Sequence, residues 1–207
     1  MSNFVSTQWL ADHLHTDDLV ILDASWHLPA AKRDARAEFV AAHIPGARFF
    51  DLDGVSEQNT TLPHMLPSAD AFAESMRALG VNTSSQVIAY DSVGLFSAAR
   101  CWWMLKAFGH DKVSVLGGGL KKWLAEGRAT EPGEPKVSQL GTFTAKLNLA
   151  MVRNMAQVAE NKAQVADARS PTRFRGEEPE PRPRVKPGPC PAHTMSITPA
   201  CSKPTAH

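Results

Sequence analysis

The sequence predicts an α/β fold: a parallel sheet flanked by helices, followed by the start of a second copy. Three observations predict it. Short apolar runs at 19–23 (LVILD), 86–90 (QVIAY) and 113–116 (VSVL) each end at a polar residue or at glycine, as buried parallel strands do. Amphipathic stretches separate them, and strands alternating with helices imply an open α/β sheet. An Asp-Ala strand end recurs, in VILDASW (20–26) and again in QVADARS (164–170), at a domain-sized spacing.

Each element follows from local pattern. TQWLADHL (7–14) places Trp9, Leu10 and Leu14 on one helical face. SADAFAESMRALG (68–80) has Ser68 as cap, an apolar stripe of Phe72, Met76 and Leu79, and Gly80 as stop. SAARCWWMLKAFG (97–109) is a further helix with a terminal glycine. From 127 to 142 the text becomes GRATEPGEPKVSQLGT, a linker composition. MVRNMAQVAENK (151–162) then reads as a helix and AQVADA (163–168) as a strand.

Bulk properties exclude several function classes. Lys plus Arg is 22 against 21 Asp plus Glu, so no broad field attracts nucleic acid or anionic lipid. No run of 18 apolar residues predicts a membrane span, and the first residues lack a secretory signal pattern. Three cysteines, Cys101, Cys190 and Cys201, are too few for a disulfide framework, which points to a reducing compartment, with the cytoplasm as the default. No Cys/His set has zinc spacing, and no motif calls for a cofactor. LGGGL (116–120) lacks the Lys-Ser/Thr of a phosphate loop and reads as a strand-to-helix turn. Nothing in the sequence sets the oligomeric state.

Four segments carry a family resemblance: AAHIPGARFFDLD (41–53), LPHMLPS (62–68), FSAARCWWMLKAFGHDKVSVLGGGLKKW (96–123) and DARSPTRFRGEEPEPR (167–182). In this order they resemble the two-domain rhodanese and 3-mercaptopyruvate sulfurtransferase family. The resemblance implies a rhodanese-like five-stranded parallel sheet over residues 3–126 as a non-catalytic N-terminal domain. A linker would follow at 127–150, with an edge strand near 142–145. The start of the C-terminal domain would occupy 151–188. In that family the second domain carries a cysteine on a Cys-Gly-x-Gly-Val-Thr-like loop, where backbone N–H groups stabilise the thiolate and its persulfide. The substrate is a small anionic sulfur donor, and sulfur passes on to cyanide or a thiol.

The resemblance also assigns candidate residues. Asp91 stands where a nucleophilic cysteine would, so the first domain is expected to be silent. Cys101, mid-helix beside Trp102 and Trp103, reads as a core residue. Arg173 and Arg182 resemble the arginines that hold the donor's anionic end; a planar guanidinium fork suits a carboxylate or sulfonate. An arginine at 182 fits a mercaptopyruvate-type enzyme better than a thiosulfate-type one. Without the resemblance, both would read as part of a self-neutralising charge cluster. His64 and Glu57 match a histidine and an acidic residue that assist proton movement at the domain edge; without the resemblance His64 is a loop histidine. His43 reads as a structural histidine bonding the Pro45-Gly46 turn.

The resemblance stops at Gly188. A second "GHxPGA" is due there, and PCPAHTM appears instead. Codons compatible with 189–207, shifted by two bases, permit Pro-Gly-Ala-His-Asn-Val-Asn-Tyr and onward. Residues 189–207 are therefore expected to be a frameshifted, disordered tail, with the second domain truncated and the cysteine loop absent. Cys190 and Cys201 lie in proline-rich text and are no substitute for it. The expected outcome is a polypeptide inactive alone. The competing expectation is a non-enzymatic rhodanese-like binding or regulatory module. A phosphatase relative is disfavoured, because residues 91–100 hold Arg100 but no cysteine.

Overall fold

The computed structural model describes residues 2–135, 137–160, 166–167, 169–180, 187–188 and the backbone of 196–197. The chain divides into two units, 1–152 and 153–207.

The first unit is built on five parallel strands: β1 (Phe4–Val5), β2 (Leu19–Asp23), β3 (Ala47–Phe49), β4 (Gln86–Tyr90) and β5 (Val113–Leu116), in the order β1-β5-β4-β2-β3. Helices α1 (Thr7–His13), α2 (Ala35–Ala41), α3 (Leu52–Val55), α4 (Ala69–Ala78), α5 (Ala98–Ala107) and α6 (Gly119–Ala125) cover both faces. Strand alternation sorts the core. Val20, Leu22, Val87 and Ala89 face one layer with Phe72, Met76, Met104 and Phe108. Ile21, Ile88 and Tyr90 face the other with Leu10, Phe39 and Trp123. This sheet with helices on both faces is the architecture the sequence predicts. The two-residue edge strand β1 lacked a periodic signal because it is too short to show one.

The helices begin where their caps stand. Ser68 accepts the amide of Ala71 at 3.2 Å, and Gly80 ends the following turn at φ +67°. Ser6 does the same for α1 through Trp9.

The segment expected as a linker is strapped to the first unit. Glu131 pairs with His43 in an antiparallel bridge, and Gly133 donates to the Val40 carbonyl at 2.7 Å. Farther on, Gly141, Phe143, Lys146 and Asn148 donate to carbonyls of Arg77, Val81, Phe108 and Ala107. No strand forms over 142–145: these amides reach helix ends and loops rather than a sheet edge. Phe143 is buried at 1% exposure against Phe72. The prolines and polar residues masked that single anchor.

In the second unit, α7 (Met155–Ala159) starts with a reciprocal Asn154–Gln157 capping box. Strand β6 (Ala166–Asp167) pairs in parallel with β7 (Ser196–Ile197), so two residues of the segment expected to be disordered form a strand. Helix α8 (Pro171–Phe174) has Ser170 as cap and proline in its first turn. Arg182, Cys190 and Cys201 lie outside the described residues, as does most of 189–207.

Candidate functional site

In an open α/β sheet, ligands bind beyond the carboxyl ends of the strands, where the strand order reverses. Here that point lies between β2 and β4. The chain leaves β2 through Asp23, Ser25 and Trp26, and leaves β4 through the loop that begins at Asp91. Side chains stitch the two loops together. The Ser92 amide donates to Ser25 Oγ at 2.9 Å, and the Trp26 amide to Ser97 Oγ at 3.1 Å.

The Asp91 loop is a cradle of amides closed around its own carboxylate. Oδ1 accepts from Val93 (3.1 Å) and Gly94 (2.7 Å); Oδ2 accepts from Phe96 (2.6 Å) and Ala98 (3.0 Å). Asp91 is 1% exposed. Four donors around one carboxylate make an anion nest at the start of α5. The glycine triplet brings α6 against it: Leu120 donates to the Asp91 carbonyl at 2.9 Å, and a Cβ on Gly119, at φ +54°, would collide with that carbonyl. LGGGL is thus the strand-to-helix turn expected, and it buttresses the loop.

Beside the cradle lies a pair of titratable groups. His64 Nε2 meets Asp53 Oδ1 at 2.7 Å, and the other oxygen, Oδ2, accepts the Trp26 indole N–H at 3.0 Å. The Trp26 and His64 rings meet edge-on at 4.9 Å. The carboxylate that reaches His64 is therefore Asp53. Glu57 turns its carboxylate to the Asn59 amide at 2.9 Å. Sequence reading missed Asp53; the available signal was an acidic residue at the very end of the HIPGA segment. A cleft of about 490 Å³ opens next to it, lined among others by Ser25, Trp26, Arg33, Arg36, Asp51 and Asp53. Its arginines are engaged: Arg33 forks onto Glu38, which holds that carboxyl below its usual range, and Arg36 pairs with Glu134.

The other candidates sort as follows. His43 is buried, stacked on Phe39 and bonded to the Phe39 carbonyl at 2.8 Å; the turn amide of Gly46 is taken by Glu131 instead. Cys101 is fully buried, and loss of hydration pushes its thiol far above the ordinary range. In the second unit Arg173 is held by Glu180, which also binds Arg169, while Arg173 Nε has no partner among the described residues.

A doubly wound parallel sheet with an anion nest after its central strand defines the rhodanese-like class of domain. The Rhodanese-like domain model matches residues 6–126. The chain is 44% identical to human 3-mercaptopyruvate sulfurtransferase over 203 residues, covering 93% of this chain and 68% of that protein. It is 43% identical to the Escherichia coli (strain K12) 3-mercaptopyruvate sulfurtransferase (89% and 67%) and to Arabidopsis thaliana thiosulfate/3-mercaptopyruvate sulfurtransferase 1 (89% and 55%). The crystal structure of SseA from Escherichia coli superposes with a TM-score of 0.83 at 40% identity, covering 93% of this chain and 73% of that one. The chain belongs to the rhodanese and 3-mercaptopyruvate sulfurtransferase family. It spans between about half and two thirds of the length of these curated relatives.

Proposed function

We propose that residues 3–126 are the silent domain of a 3-mercaptopyruvate-type sulfurtransferase, contributing a proton-handling pair to a site whose nucleophile lies elsewhere. The observation that carries this reading is the Asp53–His64 contact of 2.7 Å beside a cradle that Asp91 already fills. Asp53 holds the Nε2–H, which leaves Nδ1 to accept or return a proton. In the family reaction a cysteine thiolate attacks the donor sulfur and the carbon–sulfur bond breaks. The enolate left behind takes up a proton, and the sulfur stays as a persulfide until a thiol or cyanide removes it. His64 would move the proton in that step. Arg173, whose Nε has no partner among the described residues, and Arg182 would hold the donor's carboxylate.

None of the three cysteines sits in a Cys-Gly-x-Gly-Val-Thr-like loop. Asp91 cannot carry a persulfide, and its charge repels an anionic donor. The 207-residue polypeptide alone therefore transfers no sulfur. Purified chain given 3-mercaptopyruvate or thiosulfate with cyanide should yield thiocyanate at background only. Turnover that Cys101→Ser abolishes would overturn this.

A second reading, a non-enzymatic binding module, is favoured by the occupied cradle. A partner retained in pull-down only when residues 183–207 are present would support it. The departure from family pattern at Pro189 is read as a change of frame, which the nucleotide sequence beyond Gly188 tests. The sparse cysteines favour a cytoplasmic location, which cell fractionation would check.

A further inference from the structure

We propose that Arg100 is a positioning residue that fixes the His64 main chain in the conformation delivering its imidazole to Asp53. The inference rests on the proton-handling role given above to His64 and adds the device that sets its geometry.

His64 has φ +55°, a left-handed conformation that is unfavourable for a residue with a Cβ. Relaxing to a right-handed or extended conformation would swing the Cβ and carry the ring away from Asp53. Something must hold it. Arg100, in the first turn of α5, donates from its guanidinium to the His64 carbonyl. The next carbonyl along the chain, of Met65, accepts the Glu57 amide at 2.9 Å. The two bonds pin the two peptide units that follow His64.

The guanidinium itself is held still. Its carbon lies 4.5 Å from the Trp103 ring centroid, a cation–π distance. Among the described residues no carboxylate pairs with Arg100, and its buried Nε has no partner. Burial pulls the guanidinium pKa down, so the charge is kept at a cost. A half-buried cation that bonds one carbonyl and stacks on one ring contributes geometry more than stability.

The contacts close a circuit. The Arg100 amide donates to the Ser97 carbonyl at 2.9 Å, and Ser97 Oγ accepts the Trp26 amide. The Trp26 indole holds Asp53, Asp53 holds His64, and the His64 carbonyl returns to Arg100. The helix start set by the Asp91 nest is therefore the base on which the pair is mounted.

The test reads the His64 ring N–H by proton–nitrogen NMR on the intact chain, assigned with H64Q. A ring N–H bonded to Asp53 exchanges slowly enough to be seen; D53A, which removes the acceptor, supplies the freed reference. R100M, which keeps length without a donor, should lose the His64 signal. The Trp26 indole N–H, bonded to the same carboxylate without help from the Arg100 side chain, should persist. R100K, which restores a charged donor, should recover the His64 signal. A folded R100M with an unchanged His64 signal overturns the proposal, and so does a folded R100K that lacks it. If R100M does not fold, R100K decides alone by the same two outcomes. Sulfur transfer is not read, so its absence leaves this test standing. A wild-type chain without the ring N–H would sink the Asp53–His64 reading itself, and the proposal with it.

Discussion

Asp91 Oδ2 and the amide of Ala98 are joined at 3.0 Å across seven residues, which closes the loop after β4 onto the first turn of α5. The same carboxylate takes three further amides. The loop is folded around an anion, and that anion is its own side chain. A cradle for a sulfur anion and one for a carboxylate need the same donors; here the occupant is the Asp91 carboxylate.

Asp91→Ala should destabilise the first unit by about 3 kcal/mol or more. It removes charge-assisted bonds and strands several buried N–H groups together. Asp91→Asn, which keeps one carbonyl oxygen, should cost less. Denaturant midpoints of the two variants check this; an alanine variant as stable as wild type would mean that water satisfies the amides.

Cys101 should resist thiol reagents in the folded chain. It is fully buried, and the fold disfavours its thiolate strongly. Iodoacetamide labelling followed by peptide mass spectrometry should find Cys101 unmodified in native protein and modified after guanidinium. Labelling at comparable rates in both states would remove it from the core.

Strands β2, β4 and β5 were legible because buried parallel strands are continuous apolar runs: Val87, Ile88, Ala89 and Tyr90 advertise β4; β1 and β3, of two and three residues, are too short to show a pattern. The Asp91 loop was legible in kind, since Gly94 and the helix start at Ala98 mark a turn into α5. Two things were not. Asp53 gave no signal as the partner of His64, because the pairing joins residues eleven apart through a left-handed turn that no periodicity encodes. The strap at 137–148 read as linker because its bonds run to helix-end and loop carbonyls, and one residue, Phe143, supplies its deepest contact.

Phe143→Ala should therefore cost about 3–5 kcal/mol, the range for emptying a buried aromatic site. Phe72 and His110 both lean on that ring. A chain ending at 126, where the linker was expected to start, should melt well below one ending at 152. Thermal melts of the two truncations compare them; equal midpoints would show that the strap adds nothing.

His110 should make the first unit acid-sensitive. It is 4% exposed beside Phe143, and its Nε2 has no partner among the described residues. Burial lowers its pKa, against weaker opposing bonds to Ser85 and Lys112. The fold thus holds the neutral ring, whereas an unfolded histidine takes a proton near pH 6.5. The unfolded chain binds more protons between the depressed native pKa and about 6.5, so stability is full above that window and falls as pH drops through it. The loss approaches about 1.4 kcal/mol per pH unit at most. Urea midpoints between pH 7.5 and 5 should decline more steeply for wild type than for His110→Asn, whose side chain does not titrate. Parallel declines would place the acid sensitivity on another group.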